Sequence, residues 1–271
     1  MKEKTAKNGK KVAGVILSTL LIVGSLGAAA TLAANSNDAV PKDAVISTPA
    51  SPSPSDTASV TQGAIQYSKD VYVRADNSQN VSLETWFNPM TKDRRSDVKE
   101  YDSNHQLTKY QSMYYINGGT EYIIIQRDLN TGNPVSGTIL KQSDHPEVFA
   151  KLGTNEGFDT IKQYITGSRW TNVGTEQTAD GKTLNKLIAA TYQSYINDTT
   201  QANMQLIEFV DLATGLPVKE ELYEDSTGQF KLFSSDTTEY HYVADDGTLF
   251  KPADGVPMTT QTLTDGYGNS N

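Results

Sequence analysis

The stretch "DLNTGNPV" at residues 128–135 returns almost unchanged as "DLATGLPV" at residues 211–218. Each copy follows an apolar run that is typical of a strand. Within each phrase the aspartate can cap a turn through its carboxylate, the glycine can adopt positive φ, and the proline can direct the chain into the next extended segment. The phrases therefore predict two hairpin turns, built on Asp128, Gly132, Pro134, Asp211, Gly215 and Pro217.

A looser third version of the phrase is "WFNPMTKDRRSDV" at residues 86–98, where Asn88 and Lys92 replace the aspartate and the glycine. Its Lys92, Arg94 and Arg95 form a basic cluster that we interpret as a solvated turn. Strand signals dominate between these turns, because short runs rich in β-branched and aromatic residues alternate with Gly-, Asn- and Asp-rich segments. The runs are "VSLETWF" (81–87), "SMYYI" (112–116), "EYIIIQR" (121–127), "KLIAATYQSY" (186–195), "MQLIEFV" (204–210), "VKEELYE" (218–224), "FKLFSS" (230–235) and "TEYHYV" (238–243).

One stretch, 143–167, has helical signals instead. Ser143 and Asp144 are good N-cap residues, and Gly153 can end a first short helix. A second helix is predicted from about Glu156 to Tyr164. The fold class is therefore α+β, with a long, mostly up-and-down antiparallel sheet and one or two helices on one face.

The N-terminus predicts export. Residues 1–11 are basic, and residues 12–34 contain no charged side chain and would span roughly 35 Å as a helix, enough to cross a bilayer. The lysines in front predict that the N-terminus stays in the cytoplasm. The alternative is a signal peptide that is cleaved after residues 28–30 or 31–33. Both place the remainder outside the cytoplasm, tethered to the membrane or secreted.

Composition separates the rest of the chain into a linker, a folded domain and a tail. Residues 35–64 are rich in Ser and Pro and predict a disordered linker that holds the domain away from the membrane. Residues 65–252 are the predicted folded domain, and residues 253–271 are a predicted disordered tail. The formal charge is −9 overall and +4 in residues 1–11, which leaves −13 for the rest. So acidic a body excludes nucleic acid as a partner.

No catalytic constellation is found, so we predict that the protein is not an enzyme and that it has no cofactor and no metal. His105, His145 and His241 are isolated from one another, and the chain has no cysteine. Glu220 and Glu221 could be imagined as a glycosidase pair, but neighbouring strand residues point to opposite faces. One aspartate per turn supplies too few oxygen ligands for calcium. The absence of cysteine is more typical of a bacterial than of a eukaryotic exported domain.

Residues 81–251 resemble the LolA-like lipoprotein-carrier superfamily. The resemblance is carried by "LETWFNPMTKDRRSD", by "GTEQTADGKTLNKLIAATY", by the turn and strand "DLATGLPVKEELYEDSTGQ", and by "TEYHYV". It implies a strongly curved, open half-barrel with helices on its concave face, and a cleft that accepts acyl chains or the lipid anchor of a lipoprotein. The grouping also includes stress-sensor subunits that bind anti-sigma factors. The usual amphipathic N-terminal helix has only a weak counterpart in "TASVTQGAIQYSK" (57–69).

The resemblance implies a non-catalytic envelope protein that binds a lipid, an acyl chain or a lipoprotein. Two alternatives are a regulatory protein-binding module of the anti-sigma accessory type without a lipid ligand, and a module that binds cell-wall carbohydrate. Inward-facing apolar residues would line the cleft. Those that we expect there are Leu83, Ile124, Phe158, Ile161, Leu187, Ile207, Phe209 and Tyr240.

Overall fold

The computed structural model describes residues 64–141, 157–195, 201–225 and 227–260. These residues belong to one compact unit that spans Ala58–Asn271. The predicted membrane segment 12–34, almost all of the linker and the predicted helix at 143–153 lie outside the described residues. Of the residues that are described, none belongs to a helix with the length and apolar character needed to cross a membrane.

In the described part of the chain, thirteen strands form one sheet and are accompanied by one helix. In chain order the elements are β1 (Ile65–Arg74), β2 (Asn80–Phe87), β3 (Arg94–Tyr101), β4 (Leu107–Ile116), β5 (Glu121–Arg127), β6 (Pro134–Lys141), α1 (Gly157–Ile165), β7 (Trp170–Gln177), β8 (Thr183–Ala189), β9 (Tyr192–Tyr195), β10 (Gln201–Asp211), β11 (Pro217–Asp225), β12 (Lys231–Val243) and β13 (Met258–Thr260).

The sheet is open. Its strand order is β13-β6-β5-β4-β3-β2-β1-β12-β11-β10-β8-β7, with β9 paired to β10, so β13 and β7 form the two ends and do not pair with each other. Strand β1 lies near the centre, where Ile65 pairs with Val243 and Arg74 pairs with Ser234 on β12. The predicted open sheet is thus confirmed, and it is antiparallel except where β13 pairs with β6. The predicted strands at 230–235 and 238–243 are one continuous strand, β12.

The two repeated phrases form the hairpin turns β5–β6 and β10–β11. The Gly132 amide donates to the Asp128 carbonyl at 2.9 Å, and the Gly215 amide donates to the Asp211 carbonyl at 2.8 Å. Each aspartate also accepts a hydrogen bond through Oδ1 from a backbone amide inside its own turn, at 2.8 Å in both cases. Gly132 and Gly215 have φ of 71° and 69°, in the left-handed region that glycine adopts without a steric penalty.

The third version of the phrase makes the same turn between β2 and β3. The Lys92 amide donates to the Asn88 carbonyl at 2.8 Å, and Asn88 Oδ1 accepts from the Met90 amide at 2.9 Å. Lys92 takes the glycine position with φ of 64°. In the two full phrases Pro134 and Pro217 are the first residues of β6 and β11, where proline suits the start of a strand.

We expect Gly215→Ala to lower the free energy of unfolding by about 1–2 kcal/mol, the penalty for an alanine in the left-handed region. Sterics add little, because the nearest atoms to an added Cβ belong to the Lys162 side chain at 4.0 Å. Urea unfolding followed by tryptophan fluorescence measures the change. The matched control is Ala213→Ser in the same turn, which should stay within about 0.5 kcal/mol of the wild type. Equal stability of the two variants would contradict this account of the turn.

Helix α1 is too short to be stable in isolation, and polar groups from other segments hold both of its ends. At the N-terminal end the Phe158 amide donates to Oε1 of Gln66 on β1 at 2.8 Å. At the C-terminal end the Trp170 indole donates to the Tyr164 carbonyl at 3.1 Å. Phe158 and Ile165, seven residues apart and therefore on one side of the helix, are its buried side chains. The helix thus forms close to where the sequence predicts, and it packs against the sheet.

Both faces of the sheet carry apolar clusters. We call the face that α1 covers the helix face and the other the opposite face. Residues alternate between them along each strand. The clusters are Ile165, Leu187 and Val210 on the helix face, and Leu184, Ile207 and Phe209, with Tyr114, Ile123 and Ile125, on the opposite face.

Part of the predicted C-terminal tail is structured. Met258, Thr259 and Thr260 form β13, which pairs in parallel with β6 at the end of the sheet. Val256 packs on the opposite-face cluster of Tyr114, Ile123 and Ile125. The sequence of this segment predicts a tail because it contains no long apolar run; its backbone pairing and one valine are enough to order it. Residues 261–271 lie outside the described residues.

Candidate ligand site on the helix face

Helix α1 crosses the helix face from β12 to β8. Phe158 contacts the rings of Tyr240 and Tyr242 on β12 edge-on, with ring centres 5.2 and 5.4 Å apart. At the other end of the helix, Ile165 packs on Leu187 of β8 and Val210 of β10. The helix therefore lies over the half of the sheet that runs from β1 to β8. This half carries acidic side chains on the helix face, whereas the strands β2 to β6 carry apolar ones.

The structure brings most of the predicted cleft residues to the helix face. Leu83 and Ile124 lie on it by strand register, and Leu187 and Tyr240 lie on it beneath the helix. Phe158 is buried between helix and sheet, and Ile161 is half-buried on the same helix.

Ile207 and Phe209 are placed differently from the prediction, because both face the opposite side of the sheet. They cluster there with Leu184, while Leu206, Glu208 and Val210 face the helix side. The reason is that β10 is buried on both faces from residue 206 to residue 211. Its sequence therefore does not alternate between apolar and polar residues, and does not indicate which residues face the helix.

An apolar band runs along the helix face of β2 to β6. Successive strands contribute Phe87, Val98, Met113, Ile124 and Leu140, each no more than 5% exposed. Strand register places these side chains on the same face, since Met113 pairs with Ile124 and residue 98 pairs with Leu83. The contacts of α1 described above fall at the border of this band, where Gly157 approaches the Phe87 ring, and then continue over β12, β10 and β8.

The other half of the helix face carries a row of acids. Glu208 on β10 pairs with Glu220 on β11, and Glu220 pairs with Asp236 on β12. Neighbouring strands are about 4.8 Å apart, so three carboxyl groups follow one another directly across the sheet. We call these three residues the carboxylate row. Asp70 on β1 adds a fourth carboxyl next to it, because it pairs with Thr238, two residues along β12 from Asp236.

Burial governs the protonation of this cluster. Burial, together with the charges of Asp70 and Glu220, raises the pKa of Asp236 to about 8. Burial raises the pKa of Asp70 to about 6, although hydrogen bonds from Thr238 at 2.8 Å and Ser68 at 3.5 Å oppose the shift. The pKa of Glu208 is raised well above its usual range by burial and by the neighbouring Glu220. At neutral pH the cluster therefore holds protons.

Glu208 and Glu220 share a hydrogen bond that raises the pKa of Glu208 and opposes the burial-driven rise of the pKa of Glu220. Glu208 is 1% exposed, and its Oε1 has no hydrogen-bond partner among the described residues. Within the same part of the chain, the buried Oδ1 of Asp236 is also without a partner. Two unpartnered carboxyl oxygens therefore lie at the two ends of the row.

Aromatic hydroxyl groups and one guanidinium surround the row. Burial and the charges of Glu208 and Glu220 raise the pKa of Tyr164 on α1. Burial also raises the pKa of Tyr240, where Asp70, Glu208 and Asp236 add to the shift. The Arg169 guanidinium lies 4.8 Å from the ring centre of Tyr164 and 4.7 Å from that of Trp170, and its charge lowers the pKa of both glutamates.

The chemistry of the row is that of an acceptor for positive charge. Among the described residues, no group of three or more carboxylates and histidines has the geometry to hold a metal ion. Glu221, the neighbour of Glu220, faces the other way and binds Lys219 Nζ at 2.6 Å, so these two glutamates do not form a catalytic pair. Sequence reasoning does not find the row, although Glu208 interrupts the apolar run "MQLIEFV" and is a visible signal.

We expect the fold to lose stability as the pH rises from about 5 to about 8. Asp70 and Asp236 have folded-state pKa values above the usual carboxyl value. The folded chain therefore binds more protons than the unfolded chain in this interval, and the free energy of unfolding falls with pH. Asp236→Asn should raise that free energy by about 1–2 kcal/mol near pH 9 and much less near pH 5, in urea titrations at both values.

The control for this pH effect is Glu176→Gln on β7, whose side chain is exposed. For this variant the free energy of unfolding should differ between the two pH values by the same amount as in the wild type. If Asp236→Asn and Glu176→Gln show the same pH dependence, the carboxylate row does not determine it.

No family model matches the sequence, and no curated protein sequence matches it either. Among solved structures, the complex of MucA and MucB from Pseudomonas aeruginosa is similar at 16% identity and a TM-score of 0.38, over 71% of this chain and 56% of that chain. A structure of MucB alone is similar at 17% identity and a TM-score of 0.35, over 72% and 59%. The chain thus spans little more than half of the length of these proteins.

An uncharacterized conserved protein from Thermus thermophilus is similar at 10% identity and a TM-score of 0.34, over 74% of this chain and 92% of that chain. The resemblance to the LolA-like superfamily inferred from the turn and strand motifs stays a prediction.

Proposed function

We propose that this protein is a non-catalytic binding module outside the bacterial cytoplasm, which holds an acyl chain or the lipid anchor of a lipoprotein on the helix face. It would act in lipid or lipoprotein handling or in envelope-stress sensing. The observation that carries the proposal is the apolar band of Phe87, Val98, Met113, Ile124 and Leu140 across five neighbouring strands. Each methylene buried against such a surface contributes about 0.8 kcal/mol, and no catalytic group is needed.

The location follows from the sequence. Residues 12–34 form a membrane anchor or a signal peptide, and the lysines before them favour export of everything that follows. A tether with the Ser- and Pro-rich linker would keep the sheet close to the membrane surface, where acyl chains are available. Tethering favours local lipid handling or sensing over shuttling between membranes.

A protein partner is the second candidate, and the end strand β7 favours it. Seven of the eight residues of β7 are exposed, and the strand pairs with β8 on one side. Such an edge can accept an extended segment of another polypeptide through backbone hydrogen bonds. This would suit a regulatory module of the anti-sigma accessory type that works without a lipid.

Ile124→Ala and Ile123→Ala test the lipid proposal as a matched pair. Both isoleucines are 5% exposed neighbours on β5, but Ile124 faces the apolar band and Ile123 faces the opposite side. Both variants should lose about 2–5 kcal/mol of stability. Ile124→Ala alone should weaken binding of a fluorescent long-chain fatty acid, by about tenfold, since 1.4 kcal/mol of lost contact is a factor of ten.

Native mass spectrometry of residues 58–271 provides the second readout. Copurified acyl species are expected from the wild type. A ligand-free protein that binds no fatty acid, or equal binding by the two isoleucine variants, would contradict the proposal. Copurification of a polypeptide in place of a lipid would favour the partner-binding alternative, and hydrogen exchange should then show protection along β7.

A further inference from the structure

We propose that the carboxylate row of Glu208, Glu220 and Asp236 is a binding site for an organic ammonium group, supplied by a small amine or by a lysine side chain of a polypeptide. The inference does not depend on the apolar band or on lipid binding. It concerns the other half of the helix face, where the row lies beside α1.

The charges around the row are not balanced. Glu208, Glu220 and Asp236 occupy directly paired positions on three strands, and Asp70 lies one row away. Like charges at such distances oppose each other's ionisation when they are shielded from water. Two described cations face these four acids, Arg169, whose charge acts on both glutamates, and Arg74 on β1. A further positive group would relieve the repulsion.

Two buried carboxyl oxygens of the row lack a hydrogen-bond partner among the residues that the structure describes. They are Oε1 of Glu208, a residue that is 1% exposed, and Oδ1 of Asp236. A buried carboxyl oxygen in this state costs free energy until a donor reaches it. An ammonium group carries three donors and a positive charge, and so matches both the oxygens and the charge.

The aromatic surroundings favour an organic cation. Tyr164 on α1, Tyr192 on β9 and Tyr240 on β12 lie close enough to the row for its carboxyl charges to raise the pKa of their hydroxyl groups. Their hydroxyl oxygens can accept hydrogen bonds from an ammonium group. A small metal ion is a poor match, because the described carboxylates and histidines do not converge on one point.

Binding is linked to protons. The row binds a cation best when its carboxyls are ionised, and burial keeps part of them protonated at neutral pH. The cation therefore displaces protons, and its affinity should increase from about pH 6 to about pH 8. The groups that face the row are Asp70, Tyr72 and Arg74 on β1, Tyr240 on β12, Tyr192 on β9, Tyr164 on α1, and Arg169.

The test is isothermal titration calorimetry of the full chain in a non-ionic detergent. The probes are spermidine and a peptide with an acetylated N-terminus and a free lysine amine, each compared with sodium chloride at the same ionic strength. Tetramethylammonium, which has the charge but no N–H donor, is the comparison and should bind more weakly. Two buffers that differ in ionisation enthalpy report the protons released. We expect binding of at least one ammonium probe, with proton release and higher affinity near pH 8 than near pH 6. Comparison of the affinity for spermidine with the affinity for the peptide distinguishes a small amine from a lysine side chain as the ligand.

Isosteric variants locate the site. Glu208→Gln should weaken binding by about tenfold or more, since it removes a charge-assisted hydrogen bond. Glu220→Gln is the second variant, in case Glu208→Gln does not give the wild-type circular dichroism spectrum. Glu239→Gln is the matched control, because this exposed glutamate lies on β12 and faces away from the row.

Three results would overturn the proposal. One is that no ammonium probe binds more tightly than sodium. Another is that Glu208→Gln and Glu220→Gln fold and bind as the wild type does, which would assign the binding to the acidic surface. The third is an affinity that is the same near pH 6 and near pH 8.

Discussion

The antiparallel register of β10, β11, β12 and β1 is the constraint on which the rest of this structure depends. Side chains alternate between the faces with a period of two, so a shift of one residue in any of these strands would move its entire set to the other side. The observed register places Glu208, Glu220 and Asp236 in line and at the same time directs Ile207 and Phe209 into the opposite-face cluster. The acids beneath the helix therefore follow from the same pairing that builds the apolar clusters.

The helix face combines two environments. The strands β2 to β6 present Met113, Ile124 and Leu140, whereas the strands β12 to β10 present the carboxylate row, in which Glu208 is buried and the other two acids are half-buried. Helix α1 begins at the border, where Gln66 holds its N-terminal end, and crosses the acidic half, where Trp170 holds its C-terminal end. Because nine residues of helix have little stability of their own, these two polar contacts and the packing of Phe158 set how firmly the helix covers the face. A ligand for either half would have to reach it beside or beneath this helix.

Much of the fold could be predicted from sequence, and the omissions have physical causes. The hairpin turns follow from local chemistry, since Asp, Gly and Pro act within a few residues of each other. The start of strand β3 reads as a turn because its Arg94 and Arg95 are charged, yet Arg94 is 8% exposed and Arg95 pairs with Asp97 at 2.7 Å. The acid cluster could not be predicted from the sequence, because its residues come close together only after strands that are distant in sequence have paired. A charged residue inside an apolar strand is its one local signal.

The pairing of β1 with β12 has a consequence for how the chain acquires its structure. Thr238 and Asp70, which share a hydrogen bond, are separated by 168 positions along the chain. The meander from β1 to β6 consists of neighbouring hairpins and can assemble early, but one edge of β1 stays unpaired until β12 has been synthesised. Contacts of such long range slow folding, and an unmatched strand is a place where wrong pairings begin. Of the strands that the structure describes, β1 is thus made first and waits longest for its second neighbour, and during this interval its unpaired edge is open to wrong pairings.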